Sequence, residues 1–117
     1  MKESILREKS FRFAIRIVNL SKYLKTEYKK HTLSQQLIKS GTSVGAIIRE
    51  AEHAESRNDF IHKLSIALKE ANECAYWLEL LYIAGLITKN MFDSLIGDER
   101  ELLKMLISSI KTLKSKM

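Results

Sequence analysis

The chain contains no proline and only four glycines among 117 residues. Proline would break helices, and glycine is the residue of sharp turns, so their scarcity points to long helices joined by few connections. Cysteine is nearly absent too. Cys74 stands alone, which excludes an internal disulfide and leaves no C-x-x-C pair for zinc or redox chemistry. A reducing, cytoplasmic setting fits that usage. Long hydrophobic runs are also missing: MKESILREKSFRF lacks the apolar core of a signal peptide, and the apolar-rich stretch Tyr76 to Ile87 is short for a membrane span and carries Glu79. Neither export nor membrane anchoring is expected.

What is present is a chain long enough for one domain with a real core, rich in Leu, Ile, Lys, Glu, Ala and Ser. An all-α fold follows. The formal net charge is +6 and is unevenly spread. Residues 1–31 hold nine Lys/Arg against three acids, residues 32–84 five against seven, and residues 85–117 six against four. Such asymmetry points to a polyanionic partner, although a solvated helix face produces the same pattern.

The apolar spacing marks four helices. The first, about 4–30, places Leu6, Phe13, Ile17, Leu20 and Leu24 on one face and lines up Arg12, Arg16, Asn19 and Tyr23 on another. Thr32-Leu33-Ser34-Gln35 has the form of a capping box, so a second helix is expected over about 33–55, with Leu33, Leu37, Val44, Ile48 and Ala51 inward. Ser56 followed by Asp59 is a further N-cap signal. It opens a third helix, about 57–84, whose seam Phe60, Leu64, Ala67, Ala71, Cys74, Leu78 and Leu81 alternates steps of four and three. Gly85 suits a left-handed C-cap, and Thr88 opens a fourth helix over about 89–115 with Phe92, Leu95, Leu102, Leu106, Ile110 and Leu113 inward. Gly97-Asp98 inside it predicts a kink or a frayed start. Four helices with tight turns form most economically an antiparallel up-down-up-down four-helix bundle, with residues 1–117 as a single domain.

Three patterns suggest chemistry that the helical reading does not support. Gly41-Thr42-Ser43-Val44-Gly45 satisfies G-x-S-x-G, yet a nucleophile elbow needs a strand, a strained turn and then a helix, whereas Ser43 falls within a helix already under way. The two glycines lie four apart on one helical face and are better read as a close-packing surface. Glu50-x-x-His53 and Asp59-x-x-His62 resemble carboxylate-bundle metal ligands, but His53 lies about 200° beyond Ala51 and His62 as far before Leu64, so both point away from the core. Cys74 lies on the core seam beside Glu70 and Glu73, where a thiol acts as a small hydrophobe. No catalytic residue, metal ligand or cofactor site is assigned, and the chain is expected not to be an enzyme.

Two surfaces remain. Tyr76 to Ala84 is apolar around most of the helix, so Trp77, Leu80 and Ile83 require cover from another subunit or from the chain termini, and self-association is the favoured reading. Lys9, Arg12, Arg16, Lys22, Lys25, Lys29 and Lys30 form a basic strip on the first helix, with Tyr23 and Tyr28 among them. Such a strip suits phosphate neutralisation, without any recognisable motif for reading bases.

Ser43-Val44-Gly45-Ala46-Ile47-Ile48-Arg49-Glu50-Ala51, then Ser56-Arg57-Asn58-Asp59-Phe60, then Leu64 to Glu73, resemble the bacterial four-helix bundle proteins encoded by intervening sequences in large-subunit ribosomal RNA genes. That family is similar to the accessory variability determinant of diversity-generating retroelements. The resemblance covers nearly the whole chain, with its diagnostic part in residues 40–81. It implies a cytoplasmic homopentamer, nucleic-acid binding through the basic surface in the retroelement relatives, and no catalytic residues. Ile47 departs from the pattern, since the family commonly has asparagine before its Arg-Glu-Ala-like segment. If that amide makes a polar contact in relatives, an apolar side chain replaces it here. The resulting expectation is an oligomeric bundle that binds RNA or DNA electrostatically, the alternative being a scaffold for a nucleic-acid-processing protein partner.

Overall fold

The computed structural model describes residues 2–116, with side chains from residue 5. It contains four helices, α1 (Lys2–Tyr28), α2 (His31–Ala51), α3 (Arg57–Ile83) and α4 (Lys89–Ser115), and no strand among the described residues. Long helices make a long molecule, about 48 × 21 × 19 Å. Close backbone approaches link α1 with α2, α2 with α3, α3 with α4 and, more sparsely, α1 with α4, while the backbones of α1 and α3, like those of α2 and α4, stay apart among the described residues. The helices therefore occupy the four corners of a bundle, with α1 and α3 on one diagonal.

Residue pairs across these contacts run in opposite directions, as in an up-down-up-down bundle. Arg7 reaches Glu52 near the start of α1 and the end of α2, and Ser34 donates to the Ser21 carbonyl, 3.2 Å away, toward the opposite end. Arg16 reaches Ser94 and Asp98 of α4, while Lys9 pairs with Glu101. One core serves all four helices, from Leu6, Phe13 and Ile17 of α1 through Leu37 and Val44 of α2 to Leu64 and Leu78 of α3 and Leu102 and Leu106 of α4. Dispersed apolar burial of this kind is the main stabilising term of such a bundle.

The caps explain where the helices begin and end. Ser56 accepts from the Asp59 amide at 3.0 Å, and Asp59 in turn accepts from the Glu55 amide at 3.1 Å, so two donors at the start of α3 are satisfied. Thr88 does the same for α4, accepting from Met91 at 3.1 Å. Gly85 adopts φ +78°, and the amides of Gly85 and Leu86 return to the carbonyls of Tyr82 and Leu81. That pair of bonds is a Schellman stop, open to glycine because it has no Cβ to clash.

At the α1–α2 turn the structure departs from the sequence-based expectation. The Thr32 capping box does not form: α2 begins at His31, its N-cap is Lys30, and no side chain caps it. The cause is Lys29, which takes the left-handed conformation at φ 53° and reverses the chain within two residues. Thr32 is then already helical, and Ser34 is carried inward against Ser21. α2 also ends earlier than expected, at Ala51, and α4 runs through Gly97 without interruption. At the start of α3, Ile61 is buried and Phe60 only packs against the core from its edge.

Small residues bring α1 and α2 together. A Cβ on Gly41 would lie 2.7 Å from the Ile17 side chain, and one on Gly45 would lie 3.4 Å from the Ser10 carbonyl oxygen and hydroxyl. The stretch that matches G-x-S-x-G is thus the seat of α1. Ser43 lies in mid-helix, where its hydroxyl donates to the Lys39 carbonyl one turn back.

Candidate nucleic-acid interface

Helix α1 does not present its cations as one strip. Lys9 and Arg16 lie on the flank that meets α4. Lys9 pairs with Glu101, and the Arg16 guanidinium bonds to Asp98 at 2.6 Å and to the hydroxyl and carbonyl of Ser94 at 2.9 and 3.3 Å. Arg12 is held by Glu8 one turn before it, at 2.7 Å. These three charges are engaged within the chain. Exposed pairs of this kind each contribute little stability, about 0–1 kcal/mol, but they lower the net positive potential of that flank.

Lys22, Lys25, Lys29 and Lys30 are different. All four are exposed and enter no ion pair among the described residues. Because α1 stops at Tyr28 and turns sharply at Lys29, they gather at one end of the bundle with His31. Tyr23 and Tyr28 stand among them in an edge-to-face pair, ring centres 5.9 Å apart. The Tyr28 contact is the main reason the Tyr23 hydroxyl titrates above its ordinary 10.0, with burial and the Glu27 charge adding in the same direction. Clustered cations beside exposed aromatic faces can neutralise phosphates and stack on unpaired bases. Asn19 and Tyr23 also line, with Arg16, a shallow groove of about 290 Å³ between α1 and α4.

The residues expected to need cover are partly exposed. Ile83 is 80% exposed and Leu80 37%, but Trp77 is half-buried on the core edge, with its indole donating to Glu73 at 3.3 Å and its ring edge-on to Tyr76. Tyr76, which the sequence reading did not single out, is the more exposed aromatic at 57%.

The bundle interior holds a group that the apolar pattern did not reveal. Glu99 of α4 is buried among core side chains, and its Oε2 has no hydrogen-bond partner. Burial pushes its pKa up to about 7, against a smaller opposing effect of Arg100. Cys74 of α3 is buried at the same core and is pushed up to about 12, chiefly by desolvation; the Ser40 hydroxyl opposes the shift and the charges of Glu99, Glu73 and Glu70 reinforce it. A thiol held that far from ionisation packs rather than reacts. His53 and His62 are both exposed, and no group of three or more metal-ligating side chains converges among the described residues. No described helix is long and apolar enough to cross a membrane.

A bundle of this topology with a lysine-rich turn is a helical bundle protein with a cationic end. The chain belongs to the family described as 23S rRNA-intervening sequence protein, whose model matches residues 2–108. It is similar to the crystal structure of a protein of unknown function from the S23 ribosomal protein family of Bacteroides thetaiotaomicron. The two share 55% identity and a TM-score of 0.93, over 95% of this chain and 99% of that one. Comparison with curated proteins gave no match.

Proposed function

We propose that this chain is a non-enzymatic, cytoplasmic, oligomeric bundle, a homopentamer as its resemblance implies, that binds RNA or DNA by electrostatic contact with the phosphate backbone. The observation that carries this reading is the convergence of unpaired Lys22, Lys25, Lys29 and Lys30 with Tyr23 and Tyr28 at one end. The membership in a family named for a ribosomal RNA intervening sequence supports a nucleic acid as the polyanion. Repetition of the lysine cluster around an assembly would multiply a weak site into a strong one. Lys9, Arg12 and Arg16 contribute less, because each already has an acidic partner.

The test is binding of a fluorescent single-stranded RNA across a salt titration. Affinity should fall steeply with salt, and the K29E/K30E double variant should weaken it at least tenfold at low salt. A flat salt response would overturn the proposal. A second reading, a scaffold for a nucleic-acid-processing protein, is favoured by the exposed apolar residues Phe11, Ile15, Tyr76 and Ile83. It predicts assembly without RNA affinity.

A further inference from the structure

The bundle exposes two apolar rows on different sides. On α1, Phe11 and Ile15 are 50% and 47% exposed, and half-buried Val18 continues the row. On α3, exposed Tyr76, Leu80 and Ile83 form the other. Each row steps by four and then three, so each runs straight along its helix and presents three side chains in line. One row can lie along the other as two helical ridges do in a packed pair.

Their rims carry opposite charge. Phe11 sits among Arg7, Arg12, Arg49 and Glu8; Arg7 and Arg12 are paired with Glu52 and Glu8, so the free cation of this rim is Arg49, whose guanidinium covers the Phe11 ring at 5.0 Å from its centre. Arg49 enters no ion pair among the described residues. The α3 row is bordered by exposed Glu73 and Glu79, neither of them in an ion pair, with Lys69 at its N-terminal end. Beside the α1 row, Ala14, Thr42 and Ala46 line a shallow hollow of about 330 Å³ between α1 and α2, which can receive protruding side chains.

We propose that these two rows are the two halves of one subunit contact, the Phe11–Ile15–Val18 face of one copy receiving the Tyr76–Leu80–Ile83 face of the next. The inference rests on the oligomeric reading above and specifies its interface. α1 and α3 stand on a diagonal of the bundle, so the two rows face different directions and one subunit engages two neighbours. Such a contact is head-to-tail, and it closes into a ring when the rotation between neighbours divides a full turn. A two-fold contact of either row with itself would instead bring like-charged rims together.

The test uses two charge-reversing variants of exposed side chains. Ile15→Glu places an acid where acidic Glu73 and Glu79 would arrive, and Ile83→Lys places a cation against the arginine rim. The solution mass of each is measured at micromolar concentration, with helicity checked by circular dichroism and Phe11→Glu and Leu80→Lys as second variants. The wild type should assemble, each variant alone should fall to the 13.5 kDa monomer, and an equimolar mixture should associate into a dimer or larger species, because one intact face of each kind remains. A variant that keeps the wild-type mass, or a mixture that stays monomeric, overturns the head-to-tail pairing while leaving self-association standing. A monomeric wild type overturns both.

Discussion

Arg16 of α1 and Asp98 of α4 are joined at 2.6 Å, across the helix pair with the sparsest packing in the bundle. The same guanidinium holds Ser94 through its hydroxyl and its carbonyl. Arg16 therefore works as a strap between the first and last helices. Its charge is thereby committed within the chain, which makes it secondary to the lysines of the proposed binding surface.

Arg16→Ala should accordingly lower stability by about 1 kcal/mol, since the pair is partly exposed and screened by solvent. It should leave RNA affinity within about twofold, below the factor of ten that accompanies a 1.4 kcal/mol change. Urea unfolding and RNA titration of the same variant check both halves. A large loss of affinity at unchanged stability would return Arg16 to the binding surface.

The lysine cluster makes a separate prediction. Each of Lys22, Lys25, Lys29 and Lys30 that neutralises a phosphate should, when changed to Ala, reduce the slope of log affinity against log salt by about 0.7 for a single strand. Lys9→Ala should change it less, because Glu101 competes for the same ammonium group. Equal slopes for all five variants would show that the cluster is not the contact.

Glu99 makes stability depend on pH in an unusual direction. Its pKa is raised from 4.5 to about 7 by burial, so the folded chain holds a proton that the unfolded chain has released over that interval. The contribution is fully present below about pH 4.5 and is lost as pH rises through about 7, a change on the order of 3 kcal/mol. Glu99→Gln keeps the shape without the charge and should flatten the profile between pH 5 and 8. Denaturation midpoints at those two pH values decide it, and a wild type equally stable at both would sink the account.

The glycines of α2 and α4 should respond in opposite directions. Gly41→Ala forces a methyl to 2.7 Å from the Ile17 side chain and should destabilise by about 1–3 kcal/mol. Gly97→Ala meets nothing within 4 Å in a helix interior and should stabilise by about 1 kcal/mol. Thermal unfolding of the two variants measures the contrast directly.

Most of the architecture was legible in residue order because helix signals are local. The α3 seam from Leu64 to Leu81, the Ser56 and Thr88 caps and the Gly85 stop depend on neighbours within a turn or two, and each stands where the spacing placed it. The Thr32 box failed for a reason no local rule contained. A lysine took a left-handed conformation, and that moved the start of α2. Glu99 left a signal that was available: the apolar set of α4 steps from Leu95 to Leu102, and Glu99 fills the intervening helical position. A charged residue there reads as a gap in the stripe until the facing helices are seen to close over it.

The sequence by itself determined the helical class, the number of helices, the caps of α3 and α4 and the excess of cations in α1, all functions of composition and short-range spacing. Only the tertiary structure decided which of those cations are free. Lys9 and Arg16 are neutralised by acids some eighty to ninety residues away in α4, while the turn at Lys29 gathers the unpaired lysines at one end. Charge pairing depends on distance in space, and that distance is set by which helices become neighbours.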